Sequence, residues 1–339
     1  MNKRSRRKVI KTSGRGLAAV GLAGLAGCTS RLPLVGTDDE EPAIDQWLVD
    51  LEPADVVRDS DELQGQEVRE RGFRYQVPSV AFDNETRLSY DDLWGRLVRN
   101  AFGVPAMDVD WQLTQDADWR LDLLEVDTGA DTEQTVQPDI DVLAGSFDPD
   151  EIESNLQRET GTDPDPHGTS HGFEIYGIGS VAYALRDDYL VRARGDGWAD
   201  SIAVLEDALG ARWGGDAERR LTDDADAGTL IDHRGSGEFV DAAVFPPRDP
   251  TGTSLPERAW QPGLVGEVRS LAVDGATTDV TDACCYESES EADPEALRDY
   301  VDGNRDVADD AFPTLEEYSI ERSGRVLVVT GTARTKAIV

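Results

Sequence analysis

The fold is decided by the stretch Asp139-Ile-Asp-Val-Leu-Ala-Gly-Ser-Phe147, which is followed directly by Asp148-Pro149-Asp-Glu. The first nine residues are mostly apolar and favour a strand. Asp148 is a favourable helix N-cap, Pro149 suits the first helical position, and acidic residues in the first turn complement the helix dipole. The stretch therefore predicts a strand that leads into a helix over residues 148–159.

The residues around this junction predict a β-α-β-β-α-β unit over 138–247. Strands are expected at 173–176, at 183–194 with a turn or bulge at Arg186-Asp-Asp, and at 238–245. A helix is expected over 198–210, because Ile202, Leu205, Ala208 and Leu209 form one apolar stripe, and another near 217–233.

This order of elements is that of a ferredoxin-like sandwich. We therefore predict an α+β protein with antiparallel sheets and with the helices 148–159 and 198–210 on one face. The segment Gly177-Ile-Gly-Ser-Val-Ala182 then has to be the turn between two antiparallel strands.

A second unit with a related order, β-β-α-β-β, is predicted over residues 263–339. Its strands are expected at 266–273, 278–287, 315–322 and 325–330, and its helix begins at Asp293-Pro294-Glu295. The repeated Asp-Pro helix start indicates either an internal duplication or two independent uses of a good cap. A Gly- and Pro-rich linker over 248–262 would separate this unit from the domain 44–247.

The first part of that domain gives weaker signals. A strand is predicted at 72–77, a helix at 90–101, and another strand near Val109. Residues 127–138 are rich in acids and turn formers and are predicted to be a loop.

The charge of the chain is strongly negative. It carries 69 acidic and 33 basic residues, a net charge of −36, and after position 28 its one lysine is Lys336. This composition is typical of adaptation to high salt, where ions screen the repulsion between carboxylates. Nucleic acid is not expected as a partner at this charge.

The N-terminus has the pattern of an export signal. Residues 1–27 hold seven basic residues, no acidic residue, and an apolar run from Gly16 to Gly27 that is too short to span a membrane. The pair Arg6-Arg7 is typical of the twin-arginine pathway. Removing this segment would change the net charge from −36 to −43.

The sequence Leu25-Ala-Gly-Cys28 is typical of a lipobox, in which cleavage makes the cysteine N-terminal and the cysteine is lipidated. We predict a signal peptide over 1–27, lipidation of Cys28, and an acidic tether over 28–43. Two acyl or alkyl chains suffice for stable anchoring. The predicted location is the extracellular face of the cell membrane, with the membrane as a partner through the lipid.

The twin-arginine start, the lipobox, the Gly-Ser-Phe-Asp-Pro-Asp-Glu-Ile segment at 145–152 and the Val-Leu-Val-Val-Thr segment at 326–330 resemble uncharacterised secreted lipoproteins of haloarchaea. The resemblance implies a location and supplies no activity.

Three motifs fit catalytic or cofactor patterns loosely. Gly168-Thr-Ser-His-Gly172 matches the G-x-S-x-G pattern, but a nucleophile elbow needs a strand before it and a helix after it. Gly177–Ala182 matches part of a dinucleotide fingerprint, which would have to open a helix. His167 and His171 could bind a metal on a helix, which Gly168 and the flanking prolines oppose. We therefore predict no catalytic constellation, no metal site and no cofactor.

Three further positions carry separate expectations. Cys284 and Cys285 are adjacent on a predicted strand, so one is expected to be buried and the other half-exposed on the opposite face. Asn84-Glu-Thr is a glycosylation sequon whose use is open.

The sequence thus predicts a lipid-anchored cell-surface protein that is not an enzyme and acts by binding or as an envelope component. A solute-binding lipoprotein of a transporter is the first alternative, and it would need two α/β lobes with a hinge. A surface hydrolase that uses a carboxylate pair is the second.

Overall fold

Thirteen strands in the described part of the chain form one sheet. The computed structural model describes residues 47–49, 63–83, 102–105, 108–125, 130–195, 200–214, 224–247, 262–303 and 315–337. The predicted helix at 90–101, most of the predicted linker 248–262 and all of residues 1–46 lie outside these ranges.

The strands are β1 Leu63–Gln76, β2 Val109–Glu125, β3 Ala130–Val136, β4 Asp139–Gly145, β5 Asp165–Ser170, β6 Phe173–Ile178, β7 Val181–Leu185, β8 Tyr189–Arg194, β9 Phe239–Val244, β10 Leu264–Asp274, β11 Thr277–Tyr286, β12 Leu315–Ser323 and β13 Val326–Arg334. The helices are α1 Pro78–Asp83, α2 Pro149–Thr160, α3 Ser201–Leu209, α4 Ala225–His233 and α5 Pro294–Gly303. A π-helix, Gly210–Gly214, extends α3, and a 3₁₀ turn, Thr335–Ala337, follows β13.

The strand order across the sheet is β12-β13-β11-β10-β9-β1-β2-β4-β8-β7-β6-β5, with β3 paired to β2 beside this path. Every pairing between described strands is antiparallel. The predicted α+β class with antiparallel strands is therefore confirmed.

The separate ferredoxin-like unit is wrong. In that fold the last strand of 138–247 would pair with the first, but β9 pairs with β1 and β10, and β1 and β2 lie between β9 and β4. The local pattern of residues 138–247 predicted most of the elements, but β9 pairs on both sides, and β4 on one side, with strands from outside that range. The C-terminal elements are also part of this one sheet, because β9 pairs directly with β10.

The same connectivity occurs twice along the chain. β1, β2, β4, α2, β7 and β8 form one half, and β9, β10, β11, α5, β12 and β13 form the other. In each half the first three strands are neighbours, and the last strand lies between the third and the fourth. The halves meet where β1 pairs with β9. This match favours the internal duplication that the repeated Asp-Pro start suggested.

The helix starts follow the sequence closely. The Asp148 carboxylate accepts a hydrogen bond from the backbone N–H of Asp150, and Gly161 ends α2 in the left-handed region at φ 69°. The Asp293 carboxylate accepts from the backbone N–H of Glu295 at 2.9 Å. Both predicted caps are confirmed.

The helices lie on both faces of the sheet, which corrects the prediction of one face. Leu156 of α2 shares an apolar cluster with Leu143, whereas Leu205 of α3 shares a different cluster with Val142. Because neighbouring residues of a strand point to opposite faces, α2 and α3 cover opposite sides of β4. The same alternation along the paired strands places α4 on the face that α3 covers and α5 on the face that α2 covers.

One predicted loop and one segment without a predicted element contain strands. Within the acidic loop expected at 127–138, β3 pairs with β2 from Glu125↔Ala130 to Trp119↔Val136. β5 occupies part of the turn-rich segment before Phe173 and pairs with β6. In both cases backbone pairing to a neighbouring strand overrides a polar composition.

Candidate functional site

The residues predicted for export, anchoring and glycosylation lie outside the described ranges. These residues are Arg6, Arg7, Cys28 and Asn84. Their assignments stay predictions from the sequence.

The Gly168–Gly172 motif belongs to a hairpin. Ser170 ends β5, His171 and Gly172 turn the chain at φ 49° and 84°, and β6 begins at Phe173. A strand therefore follows the serine, whereas a nucleophile elbow needs a helix there. The strand-turn-strand geometry does not expose Ser170 as that elbow does.

The Gly177–Ala182 motif is the turn between β6 and β7. Gly177 pairs with Ala182 and Ile178 with Val181 in an antiparallel ladder, and Gly179 has φ 64°. The predicted turn between antiparallel strands is confirmed, and no helix N-terminus is available there for a phosphate.

The three histidines lie at separate positions in the described fold. His167 is on β5, His171 is in the β5–β6 turn, and the His233 Nδ1 lies 2.8 Å from the carbonyl oxygen of Thr229. Within the described ranges, no group of three or more His, Cys, Asp or Glu side chains is arranged to hold a metal ion.

Cys284 and Cys285 are on opposite faces of β11, as predicted. Both are buried, at 2% and 0% exposure, so the expectation of a half-exposed neighbour is wrong. Both faces of β11 are covered, one by the α5 cluster and the other by the main core. Burial raises the pKa of the Cys285 thiol to about 11, which makes it a poor nucleophile.

A row of charged side chains crosses the α2–α5 face of the sheet. The strand registers place seven residues side by side on neighbouring strands: Asp282, Arg269, Asp241, Arg74, Thr114, Asp141 and Arg192. Six of them are charged, and wherever two charged residues are adjacent in this series their signs are opposite. We call these seven residues the charged row. Opposite charges directly across a strand pair stabilise the pairing, so the row helps to fix the register.

One end of the row, on β4 and β8, is a tight cluster that also includes Asp139 and Arg194. Arg192 Nη2 lies 2.6 Å from an oxygen of Asp139 and 2.6 Å from one of Asp141. Thr114 Oγ1 donates to Asp141 at 2.7 Å, and Arg194 Nε lies 2.6 Å from Asp139. The two carboxylates are therefore held as counter-ions to arginines.

Burial dominates the protonation of Asp141. It raises the pKa of the Asp141 carboxyl, and the charge of Asp139 raises it further, while Arg192 and the Thr114 hydroxyl lower it. Desolvation likewise raises the pKa of Asp116, the next residue on this face of β2.

The row could not be identified from the sequence. Its members are spread from position 74 to position 282, and each acid is one of 69. Only the pairing of strands distant in sequence brings them together.

On the opposite face, residues Trp47-Leu-Val49 fill a groove in the core. All three are at most 1% exposed. The Trp47 ring packs at 4.9 Å from Trp213 of the π-helix and at 5.4 Å from Tyr189. This segment is the first described part of the chain after the predicted tether.

Arg186 extends this aromatic cluster. Its guanidinium lies over the rings of Phe173 at 4.4 Å, Trp213 at 4.7 Å and Tyr189 at 5.2 Å, and it also pairs with Asp188. The cation–π contacts satisfy the charge within the protein.

An open cleft of about 390 Å³ lies at the N-terminus of α4. Its polar side is formed by Arg71, Asp224, Asp226, Glu287 and Arg325. Its apolar side is formed by Val68, Val244, Phe245, Pro246, Pro247 and Val265. The volume is within the range of small-molecule sites.

No protein-family model matches the chain, and no curated protein matches it either. Among solved structures, crystal forms III, I and IV of TP0453 match with TM-scores of 0.43, 0.40 and 0.39 at 10% sequence identity. The alignments cover 79% of this chain and 90–91% of those chains. A likeness at this level carries no argument about function.

None of the helices in the described ranges combines the length and the apolar character that crossing a membrane requires.

Proposed function

We propose that this chain is a lipid-anchored protein of the extracellular face of the cell membrane that acts by binding or as an envelope component and not as an enzyme. It is exported in folded form through the twin-arginine pathway and anchored at Cys28. The proposal also places it among the secreted lipoproteins of haloarchaea that it resembles.

One observation carries the location. The basic segment with Arg6-Arg7, the short apolar run and Leu25-Ala-Gly-Cys28 occur in the order that export and lipidation require. β1 and β9 pair although they are more than 160 residues apart in the sequence, so the sheet forms only when most of the chain is present. This agrees with a pathway that exports the chain after it has folded.

The proposal of binding without catalysis is supported by the state of the candidate groups. Ser170 is in a hairpin, the Cys285 thiol has a raised pKa, and the Asp139 and Asp141 carboxylates are paired with Arg192. The described strands form one antiparallel sheet, which favours this proposal over a transporter's solute-binding protein with two α/β lobes.

Replacement of Arg6 and Arg7 by lysine tests the export route. We expect precursor to accumulate in the cytoplasm, because the pathway discriminates arginine from lysine although the charge is the same. Arg4→Lys with Arg15→Lys is the matched control and should export normally. Normal secretion of the Arg6→Lys, Arg7→Lys variant would contradict the proposed route.

Cys28→Ser tests the anchor. We expect either release of the rest of the chain into the medium or accumulation of the uncleaved precursor. The control variant Thr29→Ser should stay with the membrane. Mass spectrometry of the mature N-terminus should find a lipidated Cys28. A mature chain that begins at another, unmodified residue would refute the anchor.

A further inference from the structure

We infer that the cleft at the N-terminus of α4 binds a small organic cation with an apolar body. The inference deepens the proposed binding function by giving the chemical class of a ligand, and it rests on that proposal only for its place at the cell surface.

The Arg325 guanidinium is already engaged by the protein. Nη1 donates to Asp226 Oδ1 and to the Tyr286 carbonyl oxygen, and Nη2 lies within hydrogen-bond distance of the Ala225 carbonyl oxygen and of Thr229 Oγ1. Four acceptors therefore hold this side chain between β11, β13 and α4. It serves as an internal counter-ion and not as a binding group for an anion.

The Arg71 guanidinium is engaged in the same way. Its side chain is 10% exposed, Nη1 donates to Asp224 at 3.0 Å, and the group lies 5.3 Å from the centre of the Trp119 ring. The same Asp224 carboxylate caps α4 by accepting from the backbone N–H groups of Asp226 and Ala227. Both arginines are thus balanced by Asp224, the N-cap of α4, and Asp226 of its first turn.

Glu287 is the remaining charge on the cleft wall. Its side chain is exposed, and within the described ranges it has no ion-pair partner, while its backbone N–H donates to the Gly263 carbonyl oxygen. The five charged lining residues sum to −1. A cationic group placed beside Glu287 would neutralise this charge.

The apolar wall gives the second requirement of the ligand. Val244, Phe245 and Val265 form a buried floor, and Pro246 and Pro247 form an exposed rim. An apolar body on this floor would leave water, a gain that high salt does not screen. An alkylammonium ion of branched-chain size combines both features and suits the volume of the cleft.

The test compares three probes that differ only in the polar end: 3-methylbutylammonium, 3-methylbutanol and 3-methylbutanoate. Binding to the full chain is measured by NMR titration in molar potassium chloride. We expect the amine to bind roughly threefold more tightly than the alcohol, as one partly exposed ion pair allows, and the carboxylate to bind most weakly. Tightest binding of the carboxylate would overturn the inference, and so would binding of none of the three.

Glu287→Gln is the decisive variant, with Glu321→Gln on β12 as the control. The first should reduce amine binding to the level of the alcohol and leave alcohol binding unchanged, which also shows that the cleft is intact. The second should change nothing. Unchanged amine binding in Glu287→Gln would refute the site. If the amine does not bind but Cys28 still anchors the chain, the ligand class is refuted and the location stands. If the amine binds but Cys28 does not anchor the chain, the location is refuted and the ligand class stands.

Discussion

The side-chain amide of Gln115 hydrogen-bonds both backbone groups of Val49. Val49 N–H donates to Gln115 Oε1 at 3.0 Å, and Gln115 Nε2 donates to the Val49 carbonyl oxygen. One side chain of β2 thereby bonds both backbone groups of Val49, and it holds Trp47-Leu-Val49 in the core.

Gln115→Leu tests this contact. The variant keeps the volume but leaves two buried backbone groups without partners, and we expect a loss of about 3 kcal/mol in unfolding free energy. Denaturant unfolding in molar salt measures it, and amide exchange at Val49 should accelerate. The exposed Gln157→Leu on α2 is the control and should change stability by less than about 0.5 kcal/mol. An unaltered exchange rate at Val49 would contradict the role of the amide.

The Arg269–Asp282 pair of the charged row predicts a second effect. Asp282 is 7% exposed and accepts from Arg269 Nε at 2.7 Å. Asp282→Asn removes the buried carboxylate that pairs with the Arg269 guanidinium, and we expect a loss of about 3 kcal/mol in unfolding free energy. In the same row Asp241 is 53% exposed, so Asp241→Asn should cost less than about 1 kcal/mol. Equal effects of the two variants would show that burial does not decide the strength of these pairs.

Asp116 predicts a dependence on pH. Its pKa in the folded protein is raised above the value of about 3.9 in an unfolded chain, first by desolvation and then by Asp139, Asp241 and Asp118, while Arg74 lowers it. Between the two pKa values the folded state binds more protons, so this group lowers stability as the pH rises through that window. Asp116→Asn should therefore raise the melting temperature at pH 7 and lose that advantage below about pH 4. A melting temperature that falls at pH 7 would contradict the sign.

The net charge of −36 predicts that folding needs molar salt. At 0.01 M salt the Debye length is about 30 Å, so carboxylates repel across the whole sheet, whereas at 1 M it is about 3 Å. Circular dichroism in a potassium chloride series should show cooperative structure appearing only at high salt. Sucrose is the control for excluded-solute effects and should not replace the salt. Full structure in dilute buffer would show that the core overrides the repulsion.

The sequence predicted those features that depend on neighbours along the chain. Asp148 and Asp293 cap their helices, and Gly179 turns between two strands, because each effect is complete within a few residues. The bounds of β11 and β12 lie within one residue of the prediction for the same reason, whereas β1 begins at Leu63, nine residues before the strand predicted at 72–77.

The sequence did not predict which strands pair. The partner of β9 is β1, and the choice depends on surfaces that the whole chain forms. β3 and β5 were missed because their acidic and turn-forming residues hid strands that neighbouring backbones stabilise. Leu143 and Val142 point to opposite sides of β4, and their contacts show that α2 and α3 cover opposite sides of the sheet. The sequence alternation alone does not show which side each helix covers before the sheet is known.

The seam between the two halves points to how such a chain arose. β1 and β9 run antiparallel from Arg71↔Val244 to Gln76↔Phe239, each as the first strand of its half. Two identical chains that join by the same edge strand across a twofold axis form an isologous interface with this geometry. The sheet is thus the one that a homodimer of half-length ancestors would have formed. Gene duplication and fusion would then have turned an intersubunit contact into the centre of a single polypeptide. In this chain α3 and α4 lie in the segment that connects the two halves.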